Sequence, residues 1–222
     1  MNRFDAVLFD LDGTLLDTAP DLIASCNHTL EMFNLPPVEK ELLMTKVTAG
    51  MREMLKLGIE PQKQALYDID GKMRTTFANY YTEHINDYTR AFDGIEDLIG
   101  SLRDNSIKSA VVTNKYEHMA LRLMSKFDFA TDFELILGCD STSHSKPHPE
   151  PLLKAMESIG VSPDKTLYVG DHLNDIKAAR AAGCKSCVAL WGYGINECAD
   201  PATWNSDYSA CDVYALKELI FT

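Results

Sequence analysis

The chain has 222 residues, 45% of them hydrophobic, and a formal net charge of -12, which suits a globular protein with a sizeable core, either one large domain or one domain carrying an insertion. The acidic balance argues against nucleic acid or an anionic membrane as partner, since both reward Lys and Arg; an anionic ligand needs local positive charge from a metal ion or a few placed Lys or Arg residues. No apolar stretch approaches the roughly 20 residues of a spanning helix and no signal-peptide apolar region opens the chain, so a cytoplasmic location is expected.

The first predicted strand is Ala6–Asp10, and it runs into Asp10-Leu11-Asp12-Gly13-Thr14. Positions two apart on a strand share a face, so Asp10 and Asp12 can converge beyond its carboxyl end, where open α/β sheets place their ligands. Carboxylates this close repel unless a cation, a proton or donors intervene. A calcium loop of the EF-hand type fits poorly, because its sixth and twelfth positions, counted from Asp10, hold Leu15 and Asp21 instead of Gly and Glu. A plain turn at Asp12-Gly13, with Asp10 solvated or capping, is the other modest reading.

From about Asp17 to Tyr88 no strand is evident. Helical patterns run over Pro20–Phe33, Val38–Val47, Arg52–Leu57 and Gln62–Ile85, with Leu35-Pro36-Pro37 as a firm stop. This interval reads as a helical insertion of residues 17–88 into a main domain of residues 1–16 and 89–222. Further on, predicted strands at Ser109–Thr113, Glu134–Gly138, Thr166–Gly170 and Ser186–Leu190, with a weaker one near Asp212–Tyr214, alternate with helical segments. Those segments are Gly94–Asp104, Tyr116–Phe127, Pro149–Ile159 and Asn174–Ala182. Such alternation predicts an α/β protein with a parallel sheet and helices on both faces.

Three later strand ends carry chemistry. Thr113-Asn114-Lys115 offers a hydroxyl and an amide that can donate to phosphoryl oxygens, or cap the next helix. In Ser145-Lys146-Pro147-His148-Pro149-Glu150-Pro151, alternating prolines fix the backbone around Lys146, a point charge suited to phosphate, unless it is merely solvated. Gly170-Asp171-His172-Leu173-Asn174-Asp175 ends a strand with two carboxylates, and Mg²⁺ takes one or two of these together with carbonyls, waters and substrate oxygens. Asp10 and Asp171 are natural metal ligands. Asp175 can hold a metal-bound water or cap the following helix, and the two readings weigh evenly. His148 and His172 read as loop residues rather than ligands.

The six cysteines include Cys184-Lys185-Ser186-Cys187, with Cys198 and Cys211 further on. A zinc site on these thiols wants a second tight pair or histidines at metal-ligand spacing, and neither is evident. The cysteines read as reduced small hydrophobes.

Asp10-Leu11-Asp12-Gly13-Thr14, Thr113, Lys146 and Gly170-Asp171-x-x-x-Asp175, in that order, resemble the haloacid dehalogenase-like phosphatases over nearly the whole chain. The resemblance implies a Rossmann-like core with the insertion as an all-helical cap domain. It implies Asp10 as a nucleophile that forms an aspartyl-phosphate and Asp12 as general acid and then base. Mg²⁺ would sit on the Asp10 carboxylate, the Asp12 carbonyl and Asp171, while Thr113, the Asn114 backbone and Lys146 hold the phosphoryl group. Leu15-Leu16-Asp17-Thr18-Ala19-Pro20-Asp21-Leu22, Val112-Thr113-Asn114-Lys115, Lys146-Pro147-His148-Pro149-Glu150-Pro151-Leu152 and Trp191-Gly192-Tyr193-Gly194 are similar to the phosphoglycolate phosphatase branch and to N-acetylmuramic acid 6-phosphate phosphatases. Asn196–Asp212, with Pro201, Trp204 and Asn205, leans to the second. The implied substrate is a small phosphorylated carboxylate or a sugar phosphate, handled by a monomer or homodimer. Thr48-Ala49-Gly50-Met51-Arg52 supplies an Arg able to grip a carboxylate bidentately, or a solvated helix residue. A phosphomutase shares all four motifs, and a non-catalytic binding protein is the remaining alternative.

Overall fold

A computed structural model describes residues 3–197 and 200–222. The chain divides into two compact units, one of Met1–Asp17 with Ala91–Thr222 and the other of Thr18–Arg90.

In chain order the strands are β1 (Ala6–Phe9), β2 (Leu16–Asp17), β3 (Arg90–Ala91), β4 (Lys108–Val112), β5 (Leu135–Leu137), β6 (Thr166–Gly170), β7 (Lys185–Ala189) and β8 (Tyr208–Ala210). The α-helices are α1 (Ala19–Met32), α2 (Lys40–Met44), α3 (Met51–Leu57), α4 (Arg74–Glu83), α5 (Ile95–Asp104), α6 (Glu117–Met124), α7 (Glu150–Ile159), α8 (Leu173–Ala182) and α9 (Val213–Phe221). The larger unit is built on a six-stranded sheet in the order β5-β4-β1-β6-β7-β8, and every pairing is parallel. The expected parallel sheet is therefore present, while β2 and β3 pair separately as a two-stranded ribbon.

β1 sits inside the sheet with all four residues buried, as an uninterrupted apolar run requires. Its register sets Phe9 beside Val111 on one side and Val169 on the other, so β1, β4 and β6 end at the same level. The chain moves outward from β1 in one direction through β4 and β5, then in the other through β6, β7 and β8. That reversal opens a crevice at the carboxyl ends of the central strands. Ala6, Leu8, Ala110, Val112 and Tyr168 share one face with Leu152, Ala155 and Met156 of α7 and Ala178 and Ala179 of α8. Val7, Phe9 and Val111, which alternate with them, are equally buried, and Phe9 meets the edge of Phe133 at 6.2 Å.

The expected weak strand near Asp212–Tyr214 is corrected. The sixth strand is Tyr208–Ala210, and Asp212 is the N-cap of α9, its carboxylate accepting from the Ala215 N–H at 2.7 Å. Local side-chain-to-backbone bonding of this kind outweighs strand propensity.

The smaller unit is helical among its described elements. Its interior is filled by Leu30, Leu43, Met54, Leu55, Met73, Phe77 and Tyr81, all fully buried. The expected helix over Val38–Val47 is limited to α2, and the long one over Gln62–Ile85 is broken into a 3₁₀ segment Pro61–Leu66, a π-type turn Ile69–Met73 and α4. Asp68 causes the break: its carboxylate accepts from Gly71 N and Lys72 N at 3.1 and 3.0 Å, starting a new helix there.

One buried acid ties the two ends of this unit. Asp21 in the first turn of α1 accepts from Tyr88 N (3.0 Å), Thr89 N (2.8 Å) and the Thr89 hydroxyl (2.6 Å). Removing it strands three buried or half-buried donors, each costing about 1–3 kcal/mol. Asp21→Ala is expected to lower the unfolding free energy by about 3 kcal/mol or more in urea denaturation. A loss below about 1 kcal/mol would show that water replaces the carboxylate there.

Candidate active site

The site is assembled from the carboxyl ends of β1, β4 and β6 and the loop that enters α7. Asp10 directly follows β1; its backbone N–H continues the ladder to Val169 O at 2.9 Å, and Oδ1 accepts from Leu11 N at 2.8 Å. Lys146 Nζ lies 3.0 Å from Asp10 Oδ1, 2.7 Å from Asp175 Oδ1 and 2.6 Å from the Tyr168 hydroxyl. Three acceptors thus surround an ammonium that has three protons to give. Burial works against its charge, but Asp10 and Asp175 outweigh burial and hold its pKa above the ordinary lysine value.

Asp12 turns a different way. Its carboxylate is met by Lys115 Nζ at 2.8 and 3.0 Å, with the lysine side chain only 6% exposed. Gly13, next after Asp12, has φ +79°, and a Cβ there would stand 2.4 Å from Asp171 Oδ2. Both the left-handed backbone and the contact demand glycine. The next residue, Thr14, reaches Asp171 Oδ1 through its hydroxyl at 3.4 Å.

Asp171 lies one residue beyond β6 and is 1% exposed. Its Oδ2 accepts from Tyr193 N at 2.7 Å and Gly194 N at 2.9 Å. The 191–194 tract also returns to the first loop, where Trp191 Nε1 donates to Thr14 O at 3.1 Å and the Tyr193 hydroxyl to Asp17. Asp175 is one half of a capping box, accepting from His172 N at 3.0 Å, while the His172 ring accepts from Asn174 N. It therefore caps α8 and grips Lys146 at the same time. His172 serves that cap.

Thr113 is buried at the end of β4, with its N–H on Leu137 O at 2.9 Å and its hydroxyl accepting from Lys115 N at 3.2 Å. Asn114 braces the lysine loop through both ends of its amide: Nδ2 donates to Lys146 O at 3.0 Å and Oδ1 accepts from Lys146 N at 3.1 Å. Gly50 and Arg52 belong to the smaller unit. Gly50 has φ +88°, and Arg52 Nε pairs with Asp70 at 2.9 Å on a half-exposed side chain. Pro201 opens the 3₁₀ turn that ends at Trp204, and Trp204 and Asn205 are engaged in packing and bracing. Trp204 is buried against Ile176 and Val188, and Arg180 donates to the Trp204 and Asn205 carbonyls.

The donors fit a hard cation. One carboxylate oxygen each from Asp10, Asp171 and Asp175 lie within 4.8 Å of one another, and Lys146 neutralises only part of that charge. Burial, then repulsion from Asp10 and Asp175, pushes Asp171 up to about 8. Burial pushes Asp10 up to about 6 despite Lys146. Oxygen-only ligands at such spacing suit Mg²⁺ or a similar ion. The thiols offer no rival site among the described residues: Cys26, Cys184 and Cys187 are free and buried, and burial pushes each up to about 12. Cys198 lies outside the described residues.

Lys115, Tyr168 and Asn114's bracing amide were not legible as parts of the site. Lys115 stands in the Thr113-Asn114-Lys115 run, and Tyr168 looks like one more strand residue; only the folded register shows what each touches.

The chain belongs to the haloacid dehalogenase-like hydrolases, whose family model matches residues 7–189. It is similar to a phosphoglycolate phosphatase of Chromobacterium violaceum (33% identical, covering 99% of this chain and 98% of that one). It is likewise similar to an N-acetylmuramic acid 6-phosphate phosphatase of Pseudomonas aeruginosa (36% identical, 92% and 89% covered). A crystal structure described as a predicted phosphoglycolate phosphatase from Haemophilus somnus superposes with a TM-score of 0.88 at 30% identity, covering 99% of each chain. The protein is an enzyme, a phosphoric monoester hydrolase. Among the described residues no helix is long and apolar enough to cross a membrane.

The Tyr168 hydroxyl donates to Val112 O at 2.7 Å while accepting from Lys146. Tyr168→Phe leaves both partners short in a buried place, so a stability loss of about 1–3 kcal/mol is expected in chemical denaturation. Unchanged stability would mean that a water takes over both bonds.

Proposed function

We propose that this enzyme is a Mg²⁺-dependent phosphomonoesterase that works through an aspartyl-phosphate on Asp10, with 2-phosphoglycolate as its substrate. The observation that carries the reading is Asp10 Oδ1 beside a buried lysine at 3.0 Å, with Asp171 close by and Asp12 turned aside on Lys115.

The free oxygen of Asp10 attacks phosphorus, and the ester P–O bond breaks. Lys146 sets its positive charge beside the phosphoryl group, and the Thr113 hydroxyl and the Asn114 backbone N–H are the proposed donors to its oxygens, where positioning and charge carry most of the catalysis. Asp12 gives a proton to the departing alcohol oxygen. It then takes one from the water that attacks the phosphorus of the acyl phosphate, which frees inorganic phosphate and restores Asp10. Lys115 orients the Asp12 side chain for both transfers. Asp10, Asp171 and the Asp12 carbonyl are the proposed ligands of Mg²⁺, with Asp175 behind a bound water. When bound, the ion supplies positive charge that offsets repulsion between nucleophile and phosphate.

The relatives' names divide between two substrates that each carry a carboxylate near the phosphate ester. Arg52 of the smaller unit, two residues after Gly50, is the proposed partner of that carboxylate. N-Acetylmuramic acid 6-phosphate is the second reading, favoured by the Pseudomonas aeruginosa relative.

Phosphate release with Mg²⁺ tests both levels. Asp10→Asn is expected to abolish hydrolysis while the protein stays folded, and full activity in that variant would overturn the nucleophile. For the wild type, kcat/KM is expected to be highest for 2-phosphoglycolate. A preference for N-acetylmuramic acid 6-phosphate selects the second reading, and transfer to a sugar without net phosphate release would mean a mutase.

The raised carboxylates give a pH dependence. Without a cation the folded chain keeps protons on Asp171 to about pH 8 and on Asp10 to about pH 6, where the unfolded chain has lost them. The folded state then binds more protons, so stability falls as pH rises from about 4 to about 8. Mg²⁺ needs both groups ionised. The Tm increase on adding Mg²⁺ is expected to grow from pH 6 to pH 8.5 in a thermal-melt series; an increase that stays flat would count against this ligand set.

A further inference from the structure

A second constellation lies in the larger unit, in the loop between β5 and α7. His144, His148 and Glu150 each place one nitrogen or oxygen within 4.8 Å of the others. His144 Nδ1 is 2.7 Å and His148 Nδ1 is 3.9 Å from the same atom, Glu150 Oε2. The two imidazoles are stacked, with ring centroids 4.3 Å apart and planes 26° apart, so one of these exposed rings turns about its side-chain bonds to bring both lone pairs onto one ion. We propose that these three side chains form a surface site for one divalent ion of the Zn²⁺ class, separate from the carboxylate centre.

The argument rests on donor chemistry, spacing and preorganisation. Two imidazoles and a carboxylate suit Zn²⁺, with water in the fourth position, whereas Mg²⁺ prefers oxygen ligands. Tetrahedral bonds of about 2.0–2.1 Å put neighbouring donors roughly 3.3 Å apart; the observed 2.7 and 3.9 Å straddle that spacing. The carboxylate is already aimed, because Oε1 accepts from Ser143 N at 3.2 Å and Oε2 from His144 N at 3.0 Å. His148 Nδ1 accepts from the Glu150 N–H at 3.2 Å, a bond that the ion replaces when it takes that lone pair. Pro147, Pro149 and Pro151 restrict the backbone that carries all three, which lowers the entropy lost on coordination. Both histidines are at least half exposed, so an ion reaches them from solvent. On binding, two nitrogens and one oxygen donate lone pairs. The proton between His144 Nδ1 and Glu150 moves to the outer nitrogen of His144, so a neutral ring needs no other proton acceptor.

The histidines flank Lys146 by two residues on either side. An ion here ties together the chain before and after the lysine, without touching the carboxylates.

Zn²⁺ titration against a chromogenic chelator, with millimolar Mg²⁺ present as competitor for the oxygen-only site, tests the proposal on the full chain. The wild type is expected to bind one more Zn²⁺ equivalent at micromolar concentration than H144A/H148A does, with the cysteines common to both proteins. Retained phosphatase activity shows that the variant is folded. If the double variant unfolds, His148→Gln is the second probe, expected to weaken that equivalent at least tenfold. Equal stoichiometry and affinity in wild type and variant overturn the proposal.

Discussion

The ammonium of Lys146, buried among Asp10, Asp175 and the Tyr168 hydroxyl, is the contact on which the rest of the active centre depends. Desolvating such a cation costs several kcal/mol and is offset only when its partners are close and well aimed. Each partner comes from a different element: β1, the first turn of α8, and β6. Asn114, just past β4, holds the backbone of the lysine itself. The parallel register that levels β1, β4 and β6 is thus expressed as one charge cluster. With Asp171 added, carboxylates outnumber the lysine, and the surplus negative charge is what a divalent ion meets.

The relation between sequence and structure follows from how local each cause is. Asp10 and Asp171 were legible because buried strands announce themselves as apolar runs whose ends mark the ligand-binding edge, and Lys146 because alternating prolines single out its loop. Elements governed by one polar side chain were not. Tyr208–Ala210 is a short strand with only its last residue buried, so its pattern is faint, and Asp212 diverts the following residues into a helix. In the smaller unit the helical periodicity continues across Asp68, yet two backbone bonds to that carboxylate restart the helix. The pairing of Lys115 with Asp12 joins residues 103 positions apart, beyond the reach of any spacing rule.

The proposed reading gives chemistry and selectivity separate origins in this chain. The residues around Asp10 are held by backbone ladders, caps and buried pairs that leave little freedom. Arg52, by contrast, sits on a half-exposed helix with Asp70 as its partner. Relatives similar to this chain over most of its length carry names for different substrates.

The two backbone N–H groups that Tyr193 and Gly194 present to Asp171 have a consequence for biogenesis. Asp10 leaves the ribosome almost at once, but the acid opposite it gains its anchors only after about residue 194 has emerged. The reaction centre therefore closes late in synthesis, after the central strands exist. A nascent chain paused before that point holds Asp171 without these two backbone donors.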